Sequence, residues 1–283
     1  MNFKAFLLES ENGFFIKEKP ITDIVSLLKK DGSAILNVLK DDDYYRRIPF
    51  RGFSKDMQTN YAEIYVDRPR LSRDSNNLYQ LLMDNSESLK KAGIASRSKS
   101  IICSTSKFEA ENYGKVYAIL PFDETEITVS SVRDFLFSGL ENLNVYSLYT
   151  FSEAFSEILE YFDAAQKRDE RIVFTDIQKI DDRLAKIEDI SRSIKDVLNS
   201  SNVHSDSTVI RSLLVALSKM PRESRCSSLA NKIMTTKNLG LSKIRFGHAL
   251  PEKREVWFEG KAIAVKISYL NSFRNMVNSL DIT

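Results

Sequence analysis

The chain has 283 residues, of which 42% are hydrophobic and 28% are charged, and it contains nine glycines and six prolines. Such values are typical of a globular protein with its own core and exclude a low-complexity or fibrous chain. The 41 Lys and Arg residues nearly balance the 39 Asp and Glu residues, so the net charge of +2 does not favour nucleic acid as a partner.

The apolar run at residues 5–8 is too short for a signal-peptide core or a membrane span. Cys103 and Cys226 lie far apart in the sequence, and His204 and His248 are the two histidines. These four residues predict neither a disulfide framework nor a Cys/His metal site. We therefore expect a reducing, cytoplasmic setting, no metal and no membrane.

In chain order, residues 21–40 predict two short amphipathic helices around an Asp-Gly break. Extended segments follow at residues 44–54 and 62–75, where Pro69 ends regular structure. Residues 76–93 predict one helix that ends at a glycine.

The next segment predicts strands at 100–106 and 115–122 on either side of a helical turn. Residues 131–140 and 152–167 have the spacing of helices.

The character of the chain changes at about Lys167, where apolar residues recur at helical spacing. This stripe is typical of core packing or of a partner-facing helix, and it consists of Ile177, Ile180, Leu184, Ile187, Ile190, Ile194 and Val197. We expect a mostly helical insertion over residues 167–242, within a core formed by 1–166 and 243–283. Residues 254–270 predict a strand, a turn at 259–261 and a second strand. The pattern indicates an α+β fold.

Three separated motifs could form one site. They are Phe50-Arg51-Gly52 at the end of a strand, Ser104-Thr105-Ser106 followed by Phe108, Ala110 and Tyr113-Gly114, and Glu255 at the start of a late strand. In order and strand context, this set resembles the ADP-ribosyltransferase superfamily of the Arg-Ser-Glu type. The resemblance implies an ADP-ribosyltransferase-like split β-sheet core with flanking helices and the helical insertion. A looser resemblance to phage-encoded proteins rests on residues 67–70, 73–74 and 113–122, and it implies phage origin.

The resemblance implies that NAD is the substrate, and the chemistry of the residues fits that molecule. A guanidinium at Arg51, beside Gly52, can grip pyrophosphate oxygens with two parallel hydrogen bonds. Glu255 can stabilise the positive charge that develops on the ribose when nicotinamide leaves. Ser104 would orient that carboxylate. Thr105 and Ser106 would brace the pocket wall, and Phe108 or Tyr113 would lie against the nicotinamide ring.

The sequence departs from the family pattern at one position and offers other carboxylates for the same role. Arginine-modifying members of the family carry Glu or Gln two residues before the catalytic Glu, where this chain has Lys253. Glu252 and Glu259 compete with Glu255, as does the Glu-Thr-Glu motif at residues 124–126. One dinucleotide must touch Arg51, Ser104 and Glu255, so we expect them within about 15 Å of one another.

The predicted function is mono-ADP-ribosylation of a host macromolecule, with a protein or a nucleic acid as acceptor. The location would be the host cytoplasm or the virion. NAD hydrolysis without transfer is a close variant. A catalytically silent protein of the same fold, acting as a virion-associated or host-protein-binding module, is the alternative. A third hypothesis, nucleic-acid recognition, rests on Arg68, Arg70 and Arg73.

Overall fold

A computed structural model describes residues 14–54, 57, 59–70, 77–122, 125–165, 176–200 and 204–279 of the chain. Across these ranges, no helix has the length and apolar character needed to cross a membrane.

In the described part of the chain, nine strands form one sheet. In chain order they are β1 (Phe14–Glu18), β2 (Phe50–Phe53), β3 (Tyr61–Val66), β4 (Ile101–Ser104), β5 (Lys115–Pro121), β6 (Glu126–Ser130), β7 (Leu241–Arg245), β8 (Glu255–Phe258) and β9 (Lys261–Lys266). The α-helices are α1 (Ile21–Asp31), α2 (Ser33–Lys40), α3 (Leu78–Asn85), α4 (Glu87–Lys91), α5 (Lys107–Glu111), α6 (Leu148–Ala165), α7 (Ile177–Leu184), α8 (Ile194–Leu198), α9 (Ser207–Ser218), α10 (Arg225–Ile233), α11 (Thr236–Leu239) and α12 (Leu270–Ser279).

The chain divides into two compact units. The first consists of Met1–Arg73, Ala95–Arg133 and Ser242–Thr283, and the second of Asp74–Ile94 and Asp134–Leu241. The expected insertion at residues 167–242 falls almost entirely in the second unit, which also takes in α3, α4 and α6.

The sheet of the first unit has the strand order β1-β3-β9-β5-β2-β4-β8-β6-β7. Each strand pairing from β1 to β6 in this order is antiparallel. This mixed fold with a large antiparallel sheet agrees with the α+β prediction. The ladder between β2 and β4 consists of one residue pair, Phe50 opposite Ser104, whereas β2 pairs with β5 over its whole length. The sheet is therefore weakly joined at β2 and β4, the strands that carry two of the predicted motifs.

The core of the first unit lies between the sheet and the helices α1, α2 and α12. These helices bury one apolar stripe each, including Leu28 on α1, Leu39 on α2 and Phe273 on α12. Such spacing is expected of amphipathic helices that cover a sheet. The predicted pair of helices over residues 21–40 is confirmed, with the break at Gly32.

The second unit is helical. Ile180, Leu184, Ile190 and Val197 of the predicted apolar stripe are buried, as expected for the core-packing alternative. The stripe does not run along one helix, because α7 ends at Leu184 and α8 begins only at Ile194.

The prediction of a helix at residues 131–140 is wrong. The structure has a short 3-10 turn at Phe135–Phe137, and Leu140 and Val145 then exchange two backbone hydrogen bonds across a tight turn. Asp134 accepts a hydrogen bond from the Leu136 amide, and Asn144 adopts the left-handed conformation. These local turns outweigh the helical spacing of the apolar residues.

The single helix expected at residues 76–93 is two helices, α3 and α4. Ser86 separates them, because its hydroxyl accepts a hydrogen bond from the Leu89 amide and so begins a new helix.

Candidate active site

The three predicted motifs lie on the neighbouring strands β2, β4 and β8. Phe50 pairs with Ser104, and Ser104 pairs with Glu255, so these residues form one row across the sheet. Adjacent strands lie about 5 Å apart, which puts the backbones of Phe50 and Glu255 about 10 Å apart. The motifs are distant in sequence, and strand pairing brings them within the span of one dinucleotide.

Arg51 is buried, with 6% of its surface exposed. Its Nη1 donates a hydrogen bond to the carbonyl of Ile102 on β4. The guanidinium also lies over the rings of Phe14 and Phe53, with Cζ 4.4 Å and 5.4 Å from the two ring centroids. Cation–π contacts of this length hold a guanidinium in place. Arg51 thus connects β2 to β4 beside their single residue pair.

Glu255 is buried in an ion pair with Arg97. Its side chain retains 10% exposure, whereas that of Arg97 has none. Both Nη2 and Nε of Arg97 donate to Oε1 of Glu255, at 2.7 Å and 3.3 Å. Because a charged hydrogen bond strengthens in a site that excludes water, this contact fixes the carboxylate firmly.

The segment before β4 holds Arg97 in position. Trp257 donates a hydrogen bond from its indole nitrogen to the carbonyl of Ala95 at 2.9 Å, and its ring lies 5.9 Å from the Arg97 guanidinium. The Ser96 amide donates to Oε1 of Glu259 at 2.6 Å. Arg70 donates from Nη2 to the Arg97 carbonyl at 3.2 Å. These contacts attach the Arg97 backbone to β8, to the turn after it and to the segment after β3.

The Ser-Thr-Ser motif ends β4 and begins α5. Oγ of Ser104 accepts a hydrogen bond from the Ser106 amide at 3.0 Å. Thr105 and Arg254 exchange two hydrogen bonds, each of 2.9 Å, which extend the pairing of β4 with β8. Ser106 caps α5 by accepting the Glu109 amide. Thr105 and Ser106 therefore brace the strand end. The sequence predicted that Ser104 orients the Glu255 carboxylate. In the structure Arg97 forms a buried ion pair with that carboxylate, which the prediction did not include.

The space beside Gly52 is occupied by the end of α5. A Cβ atom at Gly52 would lie 2.2 Å from the carbonyl oxygen of Ala110 and 2.8 Å from Cβ of Tyr113. The sequence predicted that a ligand approaches the backbone at Gly52. In the structure Ala110 and Tyr113 occupy that space instead. The half-buried Tyr113 lies against β2, while Phe108 is 72% exposed. Tyr113 is thus the aromatic residue packed beside the strand that carries Arg51.

Cys103 lies among the charged residues of the site and is buried. Burial raises the pKa of its thiol to about 12, a shift that nearby Arg51 and Arg70 oppose and that Glu255 reinforces. A buried thiol with a raised pKa is protonated at neutral pH, and a protonated thiol is a poor nucleophile.

The described carboxylates that compete with Glu255 do not share its buried contact with Arg97. Glu252 is exposed, Glu259 binds the Ser96 amide, and Glu126 pairs with Lys243 at 2.6 Å. Glu124 lies outside the described residues, as does Arg73. Lys253 adopts the left-handed conformation, with φ of 52°, in the turn before β8.

Among the residues that the structure describes, no group of three or more His, Cys, Asp or Glu could hold a metal ion. The expectation that the site works without a metal stays a prediction. Comparison with protein-family models, with curated proteins and with solved structures finds no significant match to this chain.

Arg97 is the site residue that sequence reasoning missed. It belongs to a 3-10 turn just before β4, in a stretch rich in Ser, Lys and Arg that is typical of exposed loops. Arg is seldom fully buried without a partner, and the partner, Glu255, is remote in sequence. The polar stretch directly before an apolar strand is the one signal that the sequence offers.

Proposed function

We propose that the protein is an NAD-dependent mono-ADP-ribosyltransferase-like enzyme that modifies a host macromolecule. One observation carries the proposal, the backbone row formed by Phe50, Ser104 and Glu255 across β2, β4 and β8, which Arg51 joins through its hydrogen bond to the carbonyl of Ile102 on β4. An aromatic-Arg, a Ser-Thr-Ser and a Glu on separate strands were the features that resemble the Arg-Ser-Glu enzymes. One dinucleotide can contact all three motifs only if their strands lie close together in the sheet.

In this proposal the carboxylate of Glu255 acts on the bond between nicotinamide and ribose. As nicotinamide leaves, positive charge develops on the ribose, and a fixed carboxylate stabilises that charge more strongly in the transition state than in the ground state. An ionised carboxylate has about four lone-pair sites. The Glu255 carboxylate can therefore accept a ribose hydroxyl while Oε1 receives the two hydrogen bonds from Arg97.

Arg51 serves the diphosphate of NAD. Phe14 and Phe53 hold its guanidinium, so little side-chain freedom is lost when it binds phosphate oxygens. Ser104 shares the row with Glu255, and its hydroxyl can both accept and donate. We assign the nicotinamide ring to Tyr113, two residues after α5, because Tyr113 packs against β2 whereas Phe108 is 72% exposed.

A specific observation favours the catalytically silent alternative. Glu255 already has a fully buried cationic partner, and the backbone at Gly52 is covered by α5. Both arrangements are expected if these residues now serve packing in the core and no longer bind a ligand. In that case the fold would serve as a binding module, and NAD would be neither bound nor cleaved.

Labelling with tagged NAD in a host lysate distinguishes the two functions. The enzyme is expected to transfer the tag to a defined acceptor and to release nicotinamide. Arg51→Lys is expected to raise KM for NAD about tenfold or more, since an ammonium cannot replace a bidentate guanidinium. Arg68→Lys, at an exposed position, is the matched control. Absence of both labelling and nicotinamide release would leave the silent module as the surviving function.

A further inference from the structure

We infer that Arg97 is a positioning residue for the carboxylate of Glu255, an inference that rests on the proposed function. The two donors of Arg97 converge on the single oxygen Oε1. Two donors that meet one oxygen of a carboxylate restrict the rotation of the carboxylate group and so the direction of its other oxygen. The rigid partner thereby determines where the carboxylate meets the ribose.

The environment of Arg97 supports a positioning role. Trp257 is the second residue after Glu255 on the same face of β8, and its ring lies beside the guanidinium. The backbone on both sides of Arg97 is tied down, since Ala95 accepts the Trp257 indole and Ser98 accepts the Arg70 amide at 2.9 Å. The guanidinium is therefore preorganised before any ligand arrives.

Structural and positioning roles make different kinetic predictions. Removal of a residue that only stabilises the fold lowers the fraction of folded protein but leaves kcat per folded molecule unchanged. If Arg97 acts through Glu255, then its removal lowers kcat with little change in KM for NAD, and it has no further effect once Glu255 is neutral.

The test measures nicotinamide release from NAD per folded molecule, with the folded fraction taken from circular dichroism. Arg97→Met is expected to lower kcat about tenfold or more while KM changes less than about threefold. Arg97→Lys keeps the charge but loses the fork, so it should recover part of kcat. In the double variant with Glu255→Gln, the rate should equal that of Glu255→Gln alone.

Arg274→Met is the matched control within the same unit. Arg274 donates to the carbonyls of Leu39 and Asp41, so its loss should lower stability and leave kcat unchanged. If Arg97→Met does not fold, the same cycle is measured with Arg97→Lys and Glu255→Gln. Rate losses that multiply in the double variant would overturn the positioning role and leave the proposed function standing. A wild-type protein that releases no nicotinamide would overturn both.

Discussion

At Gly52 the structure admits no side chain, because the carbonyl of Ala110 and the side chain of Tyr113 occupy the position that a Cβ atom would take. Gly52→Ala should therefore force α5 away from β2. Overpacking of this kind costs about 2 kcal/mol or more where backbone atoms obstruct the new group. We expect a clear fall in the midpoint of urea unfolding.

Gly139→Ala is the control for this substitution, since the nearest atom to its Cβ position is 3.2 Å away rather than 2.2 Å. A small shift accommodates that contact, so its loss of stability should be less than half as large. Equal effects of the two substitutions would contradict the close packing of α5 on β2.

Cys103 predicts a pH dependence of stability. Because burial raises the pKa of its thiol from 9.0 to about 12, the folded protein keeps the proton where the unfolded chain loses it. The contribution is complete below pH 9 and is lost as pH rises toward 12, by about 1.4 kcal/mol per pH unit for one group.

Measurement of urea unfolding between pH 8 and pH 10.5 tests this prediction, with Cys103→Ala as the comparison. The variant should lose less stability than the wild type over this range. Parallel curves for the two proteins would show that the thiol titrates alike in the folded and unfolded states.

At the scale of elements, α7 and α10 of the second unit are joined by one buried carboxylate. Asp181 on α7 accepts hydrogen bonds from the amides of Cys226 and Ser227 at the start of α10, at 2.5 Å and 3.2 Å. It satisfies donors that the first turn of a helix leaves without partners. Arg225 donates in the opposite direction, to the carbonyls of Leu184, the last residue of α7, and of Ile187 beyond it.

Asp181→Ala should destabilise the protein by about 3 kcal/mol, because the amides of Cys226 and Ser227 would stay buried without a hydrogen-bond acceptor. Asp182→Ala, the next residue on the same helix, removes an exposed carboxylate and should cost less than about 0.5 kcal/mol. Thermal unfolding of both variants measures the difference. A similar effect of the two would contradict the role of Asp181 as the acceptor for the first amides of α10.

Element types were predictable wherever local composition and tertiary packing agree. The strands β4, β5, β8 and β9 are short apolar runs bounded by turn residues, and all four were expected. Residues 131–140 failed this rule, since the apolar spacing indicates a helix while Gly139, Asn144 and Asp134 favour turns.

The register of the sheet was beyond prediction from the sequence. The pairing of Ser104 with Glu255 joins residues that a helical unit separates along the chain, and no local signal specifies it. The burial of Arg97 against Glu255 depends on that same register. The sequence therefore indicated the motifs of the site, whereas the partner of its carboxylate emerged only from the folded chain.

For the whole molecule, the central claim is that Glu255 is the carboxylate that promotes cleavage of NAD. The most direct measurement is nicotinamide release by the purified protein, by Glu255→Gln and by Glu252→Gln, whose carboxylate is exposed and close in sequence. We expect Glu255→Gln to lower kcat about 100-fold or more and Glu252→Gln to leave it unchanged. Equal rates for the wild type and Glu255→Gln would contradict the account.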